Sequence, residues 1–147
     1  MITGVEQFSA APSSAAWAPD GKELVISSPG QFRFWDLETL KPRLTLSHDV
    51  FYPSHPAFSP DQKMMAMEIS PGIIHLKEVA TGKKIAQLEN PFRERATWMA
   101  FHPDGTKLIV ASRYAKTVLV WDLAKIRAGL KPLGLDWQWP EFPPGKS

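Results

Sequence analysis

Along most of the chain, apolar and polar residues alternate in short runs, and each run stops at a cluster of Pro, Gly, Asp or Ser. Successive side chains of an extended strand point to opposite faces, so this pattern predicts short, half-buried β-strands joined by tight turns. In "AAWAPDGKELVI", Ala15 and Trp17 approach a Pro19-Asp20-Gly21 turn, where proline presets φ and glycine accepts a positive φ. Leu24 and Ile26 then alternate with Glu23, Val25 and Ser27. A second turn at Pro29-Gly30 leads to Phe32 and Phe34 on one face of a strand that ends at Trp35-Asp36.

The order returns twice. "PAFSPDQKMMAM" and "MAFHPDGTKLIV" restart it, and their leading aromatics Trp17, Phe58 and Phe101 are 41 and 43 residues apart. The third-strand endings Trp35-Asp36, Lys77-Glu78 and Trp121-Asp122 are 42 and 44 apart, so two independent landmarks keep one period. Weaker strands lie between units at "PRLTLS" (Leu44, Leu46) and "KIAQLE" (Ile85, Leu88), with "TGVEQF" in the same role at the start. Four short antiparallel strands every 40 to 45 residues cannot bury both sheet faces alone, and radial stacking on neighbouring sheets solves this. The expected fold is all-β: three β-propeller blades at about 1–39, 40–82 and 83–123, followed over 124–147 by a short helix and a Pro- and Trp-rich tail.

The aromatic-Ser-Pro-Asp-Gly-Lys turn, as in "WAPDGK" and "FSPDQK", and the strand ending in "FWDLETLK" and "VWDLAK" resemble the WD-repeat family over roughly residues 1–123. The resemblance implies structural roles for Trp17, Asp20, Trp35, Asp36, His48, Phe58, Asp61, Phe101, Asp104, Trp121 and Asp122. It also marks departures. The His, Ser/Thr, Asp and Trp that link strands in many WD repeats are incomplete here: only His48 fits the first position, with Gln7 and Pro91 as its counterparts. Ile26, Met67 and Val110 fill the second, and Pro29, Pro71 and Ala115 the third. Apolar packing is therefore expected to hold the blades, with Trp17, Trp35, Trp98 and Trp121 in the core.

Closed propellers have about four to eight blades. Three imply a homodimer completing a six-bladed ring, further blades from a longer parent chain, or a stable open arc. The tail favours the parent chain: "DLAKIRAGLK" spaces Leu123, Ile126 and Leu130 as a helix does. With "LGLDWQWPEFPPGKS" it resembles the end of large bacterial WD-repeat proteins, some of which carry an upstream serine/threonine kinase domain. No kinase motif is present in these residues, and catalysis is not expected.

Composition narrows the chemistry. The chain has no cysteine and four scattered histidines, so thiolate catalysis is excluded and neither a metal site nor another cofactor is expected. Without a leader-like start or a long apolar run, a cytoplasmic location and no membrane contact are expected. A net charge of +2, with no long run of like charge, disfavours a nucleic-acid partner. The turn aspartates Asp20, Asp61 and Asp104 suit backbone hydrogen bonds better than catalysis. Pro140 to Pro143 matches Pro-x-x-Pro, a spacing some polyproline ligands use. Trp137 and Trp139 are expected to dock the tail.

What remains is the rim that the resemblance assigns to partner binding. It carries Phe51, Tyr52, Phe92, Arg93, Arg95, Arg113 and Tyr114, residue types enriched at interaction hot spots. The function expected is a protein-interaction scaffold in a regulatory or signalling chain. The alternatives are a ligand-binding or enzymatic propeller with its site at the channel mouth, or a nucleic-acid binder using Arg93, Arg95, Arg113 and Lys116.

Overall fold

The structure, a computed structural model, describes residues 14–50 and 54–142. Among these residues, eleven strands form three antiparallel sheets in sequence order. Sheet one contains β1 (Ser14–Trp17), β2 (Glu23–Ser28), β3 (Gln31–Asp36) and β4 (Lys41–Ser47). Sheet two repeats the order with β5 (Ala57–Phe58), β6 (Met64–Ser70), β7 (Ile73–Glu78) and β8 (Lys84–Glu89). Sheet three holds β9 (Trp98–Phe101), β10 (Lys107–Ser112) and β11 (Thr117–Asp122). The third blade thus has three strands among the described residues, where the repeat predicts four. The N-terminal "TGVEQF" strand lies outside the described residues.

The repeat register is visible in the pairing. Leu24 faces Trp35, Met65 faces Lys77 and Leu108 faces Trp121. At these landmarks β3 and β7 also take a register shift against their fourth strands, between Phe34 and Trp35 and between Leu76 and Lys77. Such a bulge bends the strand and increases twist.

The core lies between blades. The forward face of blade one carries Val25, Phe32 and Phe34, supported by Leu44 and Leu46, and meets Phe58, Met65 and Met67 on the rear face of blade two. Ala66, Ile74, Leu76 and Leu88, on the forward face of blade two, meet Met99, Phe101, Leu108, Val110 and Trp121 of blade three. The stacking decides burial at equivalent positions. Phe32 and Ile74 are 0% and 2% exposed, but their counterpart Val118 is 63% exposed. Phe34 and Leu76 are both 0% exposed, against 59% for Val120. No described blade covers the forward face of blade three.

Two packing expectations need correction for the same reason. Trp17 is 64% exposed because it lies on the rear face of blade one, where no described blade precedes it. Trp98, 59% exposed, points from the uncovered forward side of blade three. Trp35 and Trp121 are half-buried. The Trp121 indole Nε1 is buried without a hydrogen-bond partner among the described residues, and Val110, at the position where WD repeats place Ser or Thr, offers none.

Apolar packing is also joined by polar clamps that the repeat motifs do not announce. Arg43 on β4 pairs with Glu23 and donates to the Val79 and Ala80 carbonyls of blade two at 3.1 and 2.8 Å. Glu68 is fully buried. Its Oε1 accepts the Gly72 N–H at 3.0 Å and the Ala96 N–H of the loop leading to blade three at 2.8 Å. Glu68→Ala leaves both donors unpaired and is expected to cost about 3 kcal/mol in urea unfolding, with Glu68→Gln recovering much of it. Equal losses in the two variants would contradict the acceptor role.

After β11 the chain turns into helix α1 (Leu123–Leu130). Asp36 and Asp122 divide here. The Asp36 carboxylate accepts the Glu38 and Thr39 N–H groups and closes the hairpin to β4. Asp122 instead N-caps α1, accepting the Lys125 N–H at 2.9 Å.

Arg127 of α1, 3% exposed, fastens the tail. It pairs with both carboxylate oxygens of Asp136 and donates at 2.7 Å to the Trp139 and Pro140 carbonyls. Trp137, Trp139 and Phe142 pack against the core between blades two and three. The Pro140 carbonyl is thereby engaged and Glu141 pairs with Lys131; Pro143 lies outside the described residues. Within the described part of the Pro-x-x-Pro stretch, the Pro140 carbonyl and the Glu141 side chain hold the tail.

Candidate functional site

Two rims bound the sheets. On one, the first turn of each blade is closed by the aspartates noted in the sequence: Asp20, Asp61 and Asp104 accept the N–H of Lys22, Lys63 and Thr106 at 2.9, 3.1 and 2.8 Å. Asp104 also accepts the Thr106 hydroxyl, and that bond first, then the Thr106 N–H, hold its carboxyl down to about 2. His102 stands where blade two has Ser59, beside Asp104 as Ser59 is beside Asp61. These carboxylates are spent on turn geometry. A cavity of about 1090 Å³ on this rim mixes Asp20, Lys22, Arg43, Lys83 and Asp136 along its wall. No group of three metal-type ligands converges among the described residues.

The opposite rim is made by the second turn of each blade and the loops between blades. Backbone hydrogen bonds knit them together. The His48 N–H donates to the Gly30 carbonyl at 3.0 Å and the Asn90 N–H to the Gly72 carbonyl at 2.8 Å. The side chains repeat the equivalence: His48 Nδ1 accepts the Val50 N–H at 3.0 Å, and Asn90 Oδ1 accepts the Phe92 N–H at 2.9 Å. Asn90 is therefore the structural counterpart of His48, and the expectation of Pro91 is off by one residue. Phe101 lies 11 residues after Asn90 and Phe58 lies 10 after His48, so the third-strand landmarks, 42 apart, locate the match that the first-strand aromatics miss.

Gly72 is fixed at the centre of this rim. Its φ is +77°, and a Cβ there would lie 2.8 Å from the Arg93 Cα, so neither the conformation nor the space admits a side chain. Loop 90–97 can therefore lie directly on the second turn of blade two.

Burial lowers the His48 pKa below its usual value, and it lowers that of His75 likewise. Both rings therefore take up protons less readily in the folded chain than in the unfolded one, which titrates near about 6.5. Stability is thus fully present above that pH and falls as pH drops through the window down to the folded values. Asp104 adds a second loss between about 3.8 and about 2. His48→Asn, the choice blade two makes, is expected to keep the turn and flatten the dependence of the denaturation midpoint between pH 7 and 5. An unchanged slope would contradict the neutral buried ring.

Phe51 and Tyr52 lie outside the described residues. Of the other five candidate rim residues, Phe92, Arg93 and Arg95 lie on the 90–97 loop and Arg113 and Tyr114 on the β10–β11 turn. Phe92 and Tyr114 are exposed, as are Arg93 and Arg113. Arg95 donates to the Tyr114 hydroxyl at 2.9 Å, with its guanidinium 4.4 Å from the ring centroid. Thr97 anchors the pair of segments: its hydroxyl donates to the Ala111 carbonyl and accepts the Arg113 N–H. Near the starts of β5 and β9 lies a smaller hollow of about 360 Å³, lined by Ser54, His55, Pro56, Ala96, Thr97, Trp98 and Met99. No carboxylate among the described residues lines it.

No family model matches the chain. A mouse protein, WD repeat and SOCS box-containing protein 1, is 33% identical over 82 residues, covering 56% of this chain and 19% of its own length. The chain therefore spans about a fifth of that curated relative. Among solved structures, the β-propeller domain of Myceliophteria thermophila Cps50 (Swd1) superposes with a TM-score of 0.68 at 15% identity, over 80% of this chain and 36% of its own. U3-55K gives 0.67 at 16% identity, over 94% of this chain and 41% of its own, and a chain of a mitotic checkpoint complex gives 0.67 at 19% over 80% and 36%. No helix among the described residues is long and apolar enough to cross a membrane. The three sheets are β-propeller blades, and the chain is similar in repeat signature and in fold to WD-repeat proteins.

Proposed function

We propose that the chain is a non-catalytic scaffold segment that holds a protein partner on the rim formed by Phe92, Arg93, Arg95, Arg113 and Tyr114, within a larger regulatory or signalling chain of the bacterial cytoplasm. The observation that carries this reading is the Arg95–Tyr114 stack, with exposed Phe92, Arg93 and Arg113 on the same two loops, which hydrogen bonds from Thr97 tie together. Aromatic and arginine side chains combine large contact area with directional hydrogen bonds, and anchored loops lose little freedom on binding. An enzymatic or ligand site at the channel mouth has less support, because the hollow there offers hydroxyls and His55 without an acid.

The test is capture of partners by immobilised chain, with Tyr114→Ala and Arg113→Ala compared against Lys83→Ala on the opposite rim. Each rim variant is expected to weaken capture about 10-fold or more, with unchanged unfolding midpoints and an unaffected Lys83 control. Capture insensitive to both rim variants would remove the proposal. Binding that collapses steeply with added salt and is competed by DNA would favour the nucleic-acid reading instead.

A further inference from the structure

The second turn of a blade asks little of its residues. Blades one and two make it with Pro29-Gly30 and Pro71-Gly72, whose glycines take φ of +85° and +77° immediately before β3 and β7. Blade three uses Arg113-Tyr114-Ala115-Lys116 instead, and Lys116, immediately before β11, holds φ at +52° without being glycine. A left-handed backbone costs an L side chain free energy that glycine avoids. The conformation recurs at Arg93, also at +52°, whose N–H donates to the Asn90 carbonyl at 2.9 Å and whose backbone packs on Gly72. Of the four non-glycine residues at positive φ among the described residues, two are thus cations of this rim. Backbone strain of this kind collects where side chains are held for contact.

The charges on these two segments are mostly of one sign. Arg93 and Arg95 lie on the 90–97 loop and Arg113 and Lys116 on the β10–β11 turn, while Glu94 is the one carboxylate of both segments. Glu94 accepts from the Ser112 hydroxyl at 3.4 Å, Arg95 donates to the Tyr114 hydroxyl, and the Thr97 hydroxyl accepts the Arg113 N–H. Three contacts therefore hold one segment against the other. Arg93, Arg113 and Lys116 are exposed, and Phe92 and Tyr114, 67% and 66% exposed, add apolar area. Arginine and lysine side chains donate and never accept, so they suit a partner that offers acceptors with negative charge. A nucleic acid also does so, but it favours an extended basic track, and this chain carries a net charge of +2 with no long run of like charge.

We infer that the segment held at this rim is a protein segment rich in Asp and Glu, with apolar side chains among the acids. The inference rests on the partner-binding reading above and adds the partner's chemistry to it. Arg93 and Arg113 offer forked donors to carboxylates and Lys116 a point charge. Tyr114, braced by Arg95, offers a ring for an apolar neighbour.

Fluorescence anisotropy on the 147-residue chain tests this with a labelled peptide of about ten residues that alternates Glu with Leu and Ser. The same peptide with Lys in place of Glu, and a DNA oligonucleotide of equal charge, are the comparisons. The Glu peptide is expected to bind and the Lys peptide is not. Arg93→Glu combined with Arg113→Glu is expected to weaken the Glu peptide at least about 10-fold and to admit the Lys peptide, with Lys83→Ala unchanged. Lys116→Gly separates charge from architecture: it is expected to weaken the Glu peptide about 3-fold while raising the unfolding midpoint, since glycine relieves the left-handed backbone. A lysine with only a structural role would move the midpoint alone. No binding of the Glu peptide, binding indifferent to the two reversals, or undiminished binding by Lys116→Gly overturns the inference. If Tyr114→Ala still reduces partner capture in that case, the rim reading survives without it. An oligonucleotide that binds more tightly than the Glu peptide overturns the inference in favour of a nucleic acid.

Discussion

Phe34→Ala is expected to lower the unfolding free energy by about 4 kcal/mol, the cost of removing a fully buried phenyl ring that its neighbours cannot replace. Phe34 is 0% exposed on the forward face of blade one, against Met65 and Met67 of blade two, and the Arg43 guanidinium lies 5.6 Å from its ring centroid. The loss therefore strikes an interface between blades as well as one sheet. Urea unfolding followed by far-ultraviolet dichroism measures it. A shift below about 1 kcal/mol would mean that the blades do not meet through this face.

Arg127→Ala is expected to release the tail at a cost of about 3 kcal/mol. The guanidinium is the single group that pairs Asp136 and also binds the Trp139 and Pro140 carbonyls; without it those acceptors must find water, and the Trp137 and Phe142 rings lose the cation beside them. The tail tryptophans would move toward solvent. A red-shifted fluorescence maximum and faster chymotryptic cleavage after Trp137 are the expected signs. Arg127→Lys keeps the charge and loses the planar fork, so an intermediate result is expected. Unchanged fluorescence and cleavage in the alanine variant would show that the rings dock without the arginine.

The blades were legible because two landmarks repeat with nearly one period, and each corresponds to a local backbone event: a proline-aspartate turn and the end of a third strand. The tail helix was legible from Leu123, Ile126 and Leu130 for a similar reason. The burial of Trp17 and Trp98 was not. A repeat assigns a residue to a face, but whether that face is covered depends on the neighbouring blade, which no local pattern encodes.

The polar clamps were hidden differently. Glu68 looks like an interruption in "MMAMEIS", and its partners lie 4 and 28 residues ahead. An acidic residue inside an otherwise apolar strand was the available signal. Arg127 offered less, because its partners come from an irregular tail whose path no periodicity describes. At the rim, residue types pointed to Arg95 and Tyr114, while the stack joining them follows from how two loops from different parts of blade three lie side by side.

The central claim, that successive blades stack forward face on rear face, is tested most directly by a double-mutant cycle. Phe34→Leu and Met67→Val truncate opposite sides of one interface while leaving both blades their own hydrogen bonds. The pair is predicted to couple by about 1 kcal/mol, because each change alters the space the other side chain fills. Phe34→Leu combined with Leu108→Val, across two different interfaces, is predicted to be additive within about 0.4 kcal/mol. Additivity of Phe34 with Met67, measured to that same precision, would contradict the stacking.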